Sequence, residues 1–444
     1  MAPVVGSTLN LFAGDGIDVS FAGNTIYLKG SRPALEMAAP AFGYFKWDDR
    51  IDPTLPVAGA SINASWQNLE RLARTFPGQV NFTNPNDRVR GAIRDAYRRY
   101  VAMVKMGLQV KLGRVVIDHE LKLPPWAHQR MMFSFLVVMG HAVITADCGT
   151  GKTYVALSLV DWFKKKNGAV KALVICPISI IDEAWGEDTT NLTDLAWTSL
   201  WVPQPYVTAK EKRDGLTMAK KRRAQQLEQL ARDDVDIWVA NFATVRNPEM
   251  LKALTRRRFD IVVVDEATKI KSPTSQSGKA AMKLSERAQH RIAMTGSLSA
   301  KDCLDAWNPF HFADRGETLD ARYVDFRAEF ATPIRISEHQ TMWKPKKGAE
   351  RRLAPIISRR SVRVRLEDCV DLPPATTVVR RVLMTTEQTR ALKTMKEELY
   401  AELEGQDLSV QNQLAKLAKP RQITGGYVNI DGIWTQLKTN PKMD

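Results

Sequence analysis

The sequence predicts an α/β protein: a lobe built on a doubly wound parallel sheet, preceded by a small α+β module. Three observations carry this expectation. "HAVITA", "KALVICP", "VDIWVANF", "FDIVVVDEA" and "RIAMTGS" are nearly continuous apolar runs that alternate with helical stretches, as parallel strands buried on both faces do. Each run ends in polar or glycine-containing chemistry, which is where ligands sit on such sheets. The first and fourth runs lead into residue types suited to a bound phosphate and its metal.

In chain order, residues 1–115 read as the α+β module. "IDVSFAGNTIYLKG" and "LPVAGASINASW" are short β-branched pieces between Gly, Pro and Asp turns, and "NDRVRGAIRDAYRRYVAMVKMG" then reads as a helix. Its residues Val89, Ile93, Tyr97, Val101 and Val104 recur at three and four and predict the buried face. Arg88, Arg90, Arg94, Arg98 and Arg99 fall largely elsewhere on the wheel, open to solvent or to a partner.

Residues 116–312 hold the sheet. In "HAVITADCGTGKTYVAL", His141 to Leu157, an apolar strand passes through a glycine pair into a helical pattern. A phosphate-binding loop needs glycines so that backbone N–H groups can turn onto the anion. It also needs a lysine for the terminal phosphates and a hydroxyl for magnesium. Gly149, Gly151, Lys152 and Thr153 supply these parts, and Asp147, Cys148 and Thr150 complete the loop. Ala146 stands where the G-x-x-x-x-G-K-[ST] pattern has its first glycine, so the match is slightly relaxed. "FDIVVVDEATKIKSP" sets Asp265 and Glu266 where a buried strand ends. The first carboxylate suits magnesium, beside the Thr153 hydroxyl, and the second suits a base that orients and deprotonates attacking water. ATP and Mg2+ are therefore the expected cofactors, with Lys152 and Glu266 the expected catalytic pair.

Residues 313–444 are expected to form a helical extension and the entry to a second, incomplete lobe. Across the chain, Lys+Arg 64 against Asp+Glu 49 gives a net charge of +15 and a pI near 9.6, which favours a polyanionic partner. The excess is clustered, in "RDAYRR", "KEKRDGLTMAKKRR", "LTRRRF" and "RRLAPIISRRSVRVR". Cys148, Cys176, Cys303 and Cys369 lie far apart without C-x-x-C spacing, which fits a reducing compartment and neither a zinc site nor a disulfide framework. No window approaches the roughly 20 apolar residues of a membrane span, and the N-terminus lacks the order of a secretory signal. A cytoplasmic protein without a membrane partner is expected.

The order of these motifs resembles the Swi/Snf-type branch of the superfamily-two helicases, ATP-driven DNA translocases, over about residues 120–430. The resemblance implies a P-loop helicase-like lobe. "LPPWAHQRMMFSFL" is similar to the adenine-recognising segment, which assigns the base to Gln129, and "ADCGTGKT" to motif I. "LVICPISIIDEAW" is similar to motif Ia, whose proline and serine, here Pro177 and Ser179, approach the DNA backbone in the family. "VDIWVANFATVRN" resembles a segment often written with tyrosine, here Phe242. "DEATKIKSP" resembles motif II, and "RIAMTGSLSAKD" motif III, where Thr295, Gly296 and Ser297 would couple nucleotide state to DNA. Thr268 replaces the usual histidine of motif II, and Gly-Ser-Leu the usual Gly-Thr-Pro of motif III. Lys269 and Lys271 either reach phosphate or solvate their loop. Paired arginines, Leu-Pro-Pro and Arg421-Gln422 resemble the passage into the second lobe.

Motifs V and VI are not found before "TNPKMD", so a truncated chain with weak hydrolysis is the expectation, because arginine fingers generally contribute roughly 10³ to 10⁵ in rate. The N-terminal module resembles, through "FGYFKWDDR" and "LERLARTFPG", a DNA-structure-recognising repeat beside some annealing helicases. The implied function is ATP-dependent translocation or remodelling on double-stranded or branched DNA. Two alternatives stay open: a nucleotide- and DNA-binding module with little turnover, or an RNA helicase of the same superfamily. Oligomeric state is not readable.

Overall fold

The structure, a computed structural model, describes residues 88–369 apart from 204, 214–215, 299–301 and 338–340. Outside that span it describes 17–22, 25–31, 35–36, 39, 46–48, 57–63, 67–68, 72, 80–82, 381–403, 420–430 and 433–436. The chain divides into two compact units, Met1–Asp371 and Leu372–Asp444.

The first unit opens with a five-stranded sheet of β1 (Ile17–Ala22), β2 (Thr25–Ser31), β3 (Lys46–Trp47), β4 (Val57–Asn63) and β5 (Val80–Phe82), in the order β3-β4-β2-β1-β5. Pairing is antiparallel except between β1 and β5. Ile26 and Leu28 of β2 are buried while Tyr27 between them is exposed, the period of two that a one-sided sheet imposes. Helix α1 (Arg88–Lys111) follows. Of its expected buried face Val101 and Val104 are half-buried, whereas Tyr97 is 39% exposed. The most buried residues lie beside that face: Tyr100 and Val110 are buried, with Met103 half-buried and Gly107 between them. The reason is helix α2 (Ala127–Met139), which crosses so closely that a Cβ on Gly107 would lie 2.8 Å from Met139 Sδ and 3.1 Å from Phe135. The side chains of Val89 and Ile93 lie outside the described residues.

The larger sheet has seven strands: β6 (His141–Ala146), β7 (Ala172–Cys176), β8 (Trp197–Ser199), β9 (Ile237–Asn241), β10 (Ile261–Val264), β11 (His290–Thr295) and, after an antiparallel pair β12 (Ala331–Arg335) and β13 (Thr341–Pro345), β14 (Ser361–Val364). Their order is β14-β6-β11-β10-β7-β9-β8 and every pairing is parallel. The five expected runs are all here. Alternation of side chains divides each run between two cores. Leu173, Ile175, Trp238, Ala240, Val262 and Val264 point to one face. Ala172, Val174, Cys176, Ile237, Val239, Ile261 and Val263 point to the other. Each buried Val, Leu or Ile among them contributes about 1.5–3 kcal/mol relative to exposure. Helix α3 (Lys152–Asn167) packs with α2 over the second core. Helices α4 (Pro248–Arg257) and α5 (Gln276–Leu284), with α6 (Trp307–Asp314), cover the first.

β14 joins β6 at the sheet edge, so the large sheet includes a strand from beyond residue 312. The basic cluster "RRLAPIISRRSVRVR" is correspondingly not a surface stripe throughout. Arg360 is 1% exposed, 3.5 Å from the buried carboxylate of Asp314, bonded to Glu317 and donating to the Met139 carbonyl at 3.3 Å. Lys111 of α1 donates to the Ser361 carbonyl at 2.6 Å, and Gln67 to the Gly316 carbonyl at 2.6 Å, so the N-terminal module is fastened to this end of the lobe.

In the second unit, helix α7 (Thr386–Leu403) begins at a turn where Gln388 donates to the Ile423 carbonyl at 3.4 Å. β15 (Tyr427–Ile430) and β16 (Ile433–Gln436) pair antiparallel. Arg421 is exposed and Gln422 half-buried. Leu372-Pro373-Pro374 and residues 437–444 lie outside the described residues, as do most of "FGYFKWDDR" and "LERLARTFPG".

Candidate nucleotide site

The C-terminal ends of β6, β7, β10 and β11 stand on one edge, and the sequence-predicted groups collect there. The loop after β6 reverses onto α3 through Gly149 (φ 82°) and Gly151 (φ 78°), left-handed conformations that favour glycine. A Cβ on Gly151 would also meet the side-chain amide of Gln129, which would have to shift away from the loop. Thr150 is fully buried and its hydroxyl donates to the Asp147 carbonyl at 2.8 Å, which stiffens the turn. Lys152 donates to the carbonyls of Ala146 (2.9 Å) and Asp147 (3.1 Å), so its ammonium lies across the loop. Free N–H groups at the first turn of α3, where Thr153 is half-buried, favour an anion in the same place. Cys148 and Gly149 are exposed at the loop tip.

Gln129, on the first turn of α2, is 8% exposed and leans on this loop. Its amide donates to the Thr150 carbonyl at 3.4 Å and accepts from the Trp126 N–H at 3.0 Å. His128 meets the same Thr150 carbonyl at 2.9 Å, a second contact that sequence spacing did not single out.

β10 delivers the two carboxylates to different surroundings. Asp265 is 5% exposed and accepts the Glu266 N–H at 2.9 Å and the indole N–H of Trp185 at 3.2 Å. Burial raises the pKa of Asp265. The Glu266 N–H, the Trp185 indole and the charge of Lys152 oppose that rise, and the Glu266 carboxylate adds to it. The thiol of Cys176 is pushed up by burial and then by Asp265. Glu266 is less buried and has φ 55°, a left-handed conformation that costs a non-glycine residue about 1–3 kcal/mol. The kink turns the chain out of the strand, so adjacent carboxylates face different volumes.

β11 lies between β6 and β10 and aligns Thr295 with Thr145. The Thr295 hydroxyl donates to the Ser297 carbonyl at 2.8 Å, and a Cβ on Gly296 would come 3.9 Å from the Ala146 carbonyl. Thr295, Gly296 and Ser297 thus abut the entrance of the phosphate loop. Pro177 and Ser179 follow β7 on the same edge, half-buried and exposed, with Ile178 between them 50% exposed. Lys271 forms an ion pair with Asp305 at 3.0 Å, while Lys269 is exposed.

Two residues make contacts that their motifs do not specify. Trp185 falls within "LVICPISIIDEAW" but reads there as an ordinary apolar residue. Asp147 is expected as part of the phosphate-binding loop, and its carboxylate also accepts the Leu366 N–H at 3.0 Å while its own N–H donates to the Val364 carbonyl at 3.1 Å.

The chain is 22% identical over 322 residues to "Putative protein p41" of Acyrthosiphon pisum secondary endosymbiont phage 1, covering 70% of this chain and 66% of that protein. It is 26% identical over 222 residues to the Zorya protein ZorD of Escherichia coli, covering 49% of this chain and 20% of that one. The chain therefore spans less than two thirds of the length of these curated relatives. A solved SWI2/SNF2 ATPase core of Sulfolobus solfataricus in complex with dsDNA aligns at TM-score 0.45 and 23% identity, covering 74% of this chain and 64% of that one. The pattern of the SNF2-related domain family matches residues 128–425, from His128 beside the phosphate loop through both carboxylates and beyond β14, and the chain belongs to that family.

Proposed function

We propose that this chain carries the ATP-hydrolysing lobe of a translocase that moves on double-stranded or branched DNA inside the cell. One observation supports the reading above others: Asp265 is buried at the edge where Lys152 crosses the phosphate loop, close enough for the lysine charge to oppose its protonation. The residues fit a magnesium nucleotide. Gly149 and Gly151 hold the left-handed turn through which a loop of this kind aims backbone N–H groups at an anion, and the hard oxygens of Thr153 and Asp265 are the donor type Mg2+ takes alongside phosphate and water. When bound, the ion neutralises charge on the transferred phosphoryl group.

In this reading Lys152 exchanges the carbonyls of Ala146 and Asp147 for phosphate oxygens, and Gln129 holds adenine. Glu266 accepts the proton of the attacking water. Thr295, Gly296 and Ser297 relay loop occupancy, and Pro177 and Ser179 meet the DNA backbone. Residues 1–115 serve as a DNA-targeting arm on the lobe, and the chain beyond β14 leads to a second lobe.

ATPase assays with and without duplex DNA, on the wild type, Lys152→Ala and Glu266→Gln, test the assignment. DNA-stimulated turnover lost in both variants is expected; equal activity in all three would sink it. Nucleotide binding without stimulated turnover in the wild type favours the binding-module alternative, and stimulation by RNA above duplex DNA favours an RNA helicase.

A further inference from the structure

We infer that a second docking surface, for the phosphate backbone of duplex DNA, lies on the edge of the large sheet opposite the nucleotide site. This rests on the DNA part of the reading above. The nucleotide groups follow the ends of β6, β10 and β11, whereas the surface is built from residues around the beginnings of β10 and β11.

Two adjoining concavities define it. One, of about 560 Å³, has Lys279, Lys283 and Arg315 around Trp307 and His311, whose rings stack at 4.4 Å. The other, of about 390 Å³, is lined by Lys252, Arg256, Arg258, Lys283 and Arg287. Lys283 and Glu286 belong to both, and Glu286 is the only carboxylate in either lining. The basic rows follow helical spacing. Lys252 and Arg256 are four apart on α4, and Lys279 and Lys283 are four apart on α5, so successive cations stand about 6 Å apart along each helix.

The run Arg256-Arg257-Arg258 is divided by the fold. Arg257 pairs with Asp233 at 2.9 Å and covers the Trp238 ring at 4.4 Å, a structural role. Arg256 and Arg258 are exposed, and among the described residues neither they nor Lys252, Lys279, Lys283 and Arg287 form a salt bridge. Elsewhere on this chain exposed arginines do find carboxylates, as Arg232 finds Asp234 at 2.7 Å. Concentrated like charge raises the free energy of the lobe, and a polyanion laid along both rows relieves it. Concavities flanked by parallel basic rows suit a regular phosphate backbone.

The test is duplex affinity of the full chain, by fluorescence anisotropy of a labelled mixed-sequence oligonucleotide across a salt series. It compares the wild type with Lys252→Glu/Arg256→Glu and Lys283→Glu/Arg287→Glu. Each double variant is expected to lose about tenfold or more in affinity and to flatten the plot of log affinity against log salt by roughly 0.9 for every phosphate no longer neutralised. ATP affinity and Tm should hold, because the substituted side chains are exposed and outside the nucleotide site. Unchanged slope and affinity in both variants, beside a wild type that binds, overturn the surface alone. A wild type that binds no duplex overturns the DNA reading and the surface together. Polyglutamate bound by the wild type and lost in variants that keep their duplex affinity reassigns the surface to an acidic protein and overturns the proposal.

Discussion

The carboxylate of Asp147 accepts the backbone N–H of Leu366 at 3.0 Å, across 219 residues of sequence. The Asp147 carbonyl also receives Lys152 at 3.1 Å, so one residue ties the phosphate loop to the turn that follows β14. Asp147→Ala should leave the Leu366 N–H without its partner and cost about 1.5–3 kcal/mol, as hydrogen bonds to charged groups do. Lower Tm, faster hydrogen exchange at Leu366 and weaker ATP binding are expected together. Asp147→Asn keeps an acceptor and should recover most of the loss; an Asn variant as impaired as Ala would show that the bond is not the cause.

Asp265 must ionise in a buried place, and burial is the largest influence holding its pKa above the ordinary value. Magnesium-dependent ATP binding should therefore fall away on acidification sooner than an ordinary aspartate would dictate. Trp185→Phe removes one of the N–H donors that oppose the shift, so the fall should move to still higher pH. Titrating ATP affinity against pH in both proteins checks this.

The same shift has a stability consequence. A raised folded-state pKa stabilises the fold at low pH, and that contribution disappears as pH rises through it, leaving a buried charge at neutrality. Asp265→Asn should consequently raise Tm above pH 7, by a few degrees if about 1 kcal/mol is recovered, while abolishing hydrolysis. Calorimetry at pH 5 and pH 8 should find the gain larger at pH 8; a gain independent of pH contradicts the assignment.

Glu266 combines a chemical role with a left-handed backbone. Glu266→Gln should retain ATP binding and lower single-turnover hydrolysis about 10²- to 10⁴-fold, the usual contribution of a positioned base. Glu266→Gly should be as inactive and slightly more stable, because glycine removes the strain. Chemical quench and thermal melts separate these effects.

At the other end of the sheet, Arg360→Met should cost about 3–5 kcal/mol, since it leaves Asp314 buried without its cation. His141 is near this network, and its pKa is lowered to about 3, first by burial and then by Arg291 and Arg360. A depressed histidine pKa stabilises the fold at high pH and loses that contribution as pH falls from 6.5 toward 3. His141→Asn should flatten the decline of Tm over that interval in a pH series.

The strands that were legible in sequence are those buried on both faces, because continuous apolar composition is itself the signal. β8, three residues long, and β14, which reads "SVRV" inside an arginine-rich stretch, lack it and become strands only by pairing with β9 and β6. The site divides in the same way. Gly149, Gly151, Lys152, Asp265 and Glu266 were legible because each position needs a particular side chain or none. Leu366 contributes a backbone N–H to Asp147 that any residue except proline could provide, so its identity carries no message. Trp185 contributes one polar atom on a large apolar body, and composition reads the body. On α1 the expected face is met in part, Val101 and Val104 being half-buried and Tyr97 exposed, because helical periodicity gives a spacing while the close approach at Gly107 and Met139 sets which side meets the neighbour.

β14 also sets a timetable. The chain emerges from the ribosome with β6 and its loop well before the strand that covers the outer edge of β6. At 5–20 residues per second the 219 residues between Asp147 and Leu366 take roughly ten to forty seconds. Throughout that interval "HAVITA" presents unpaired backbone groups in an apolar strand, the condition that invites intermolecular pairing. Translation speed and chaperone supply should therefore govern the soluble yield of this protein as much as the stability of its finished fold.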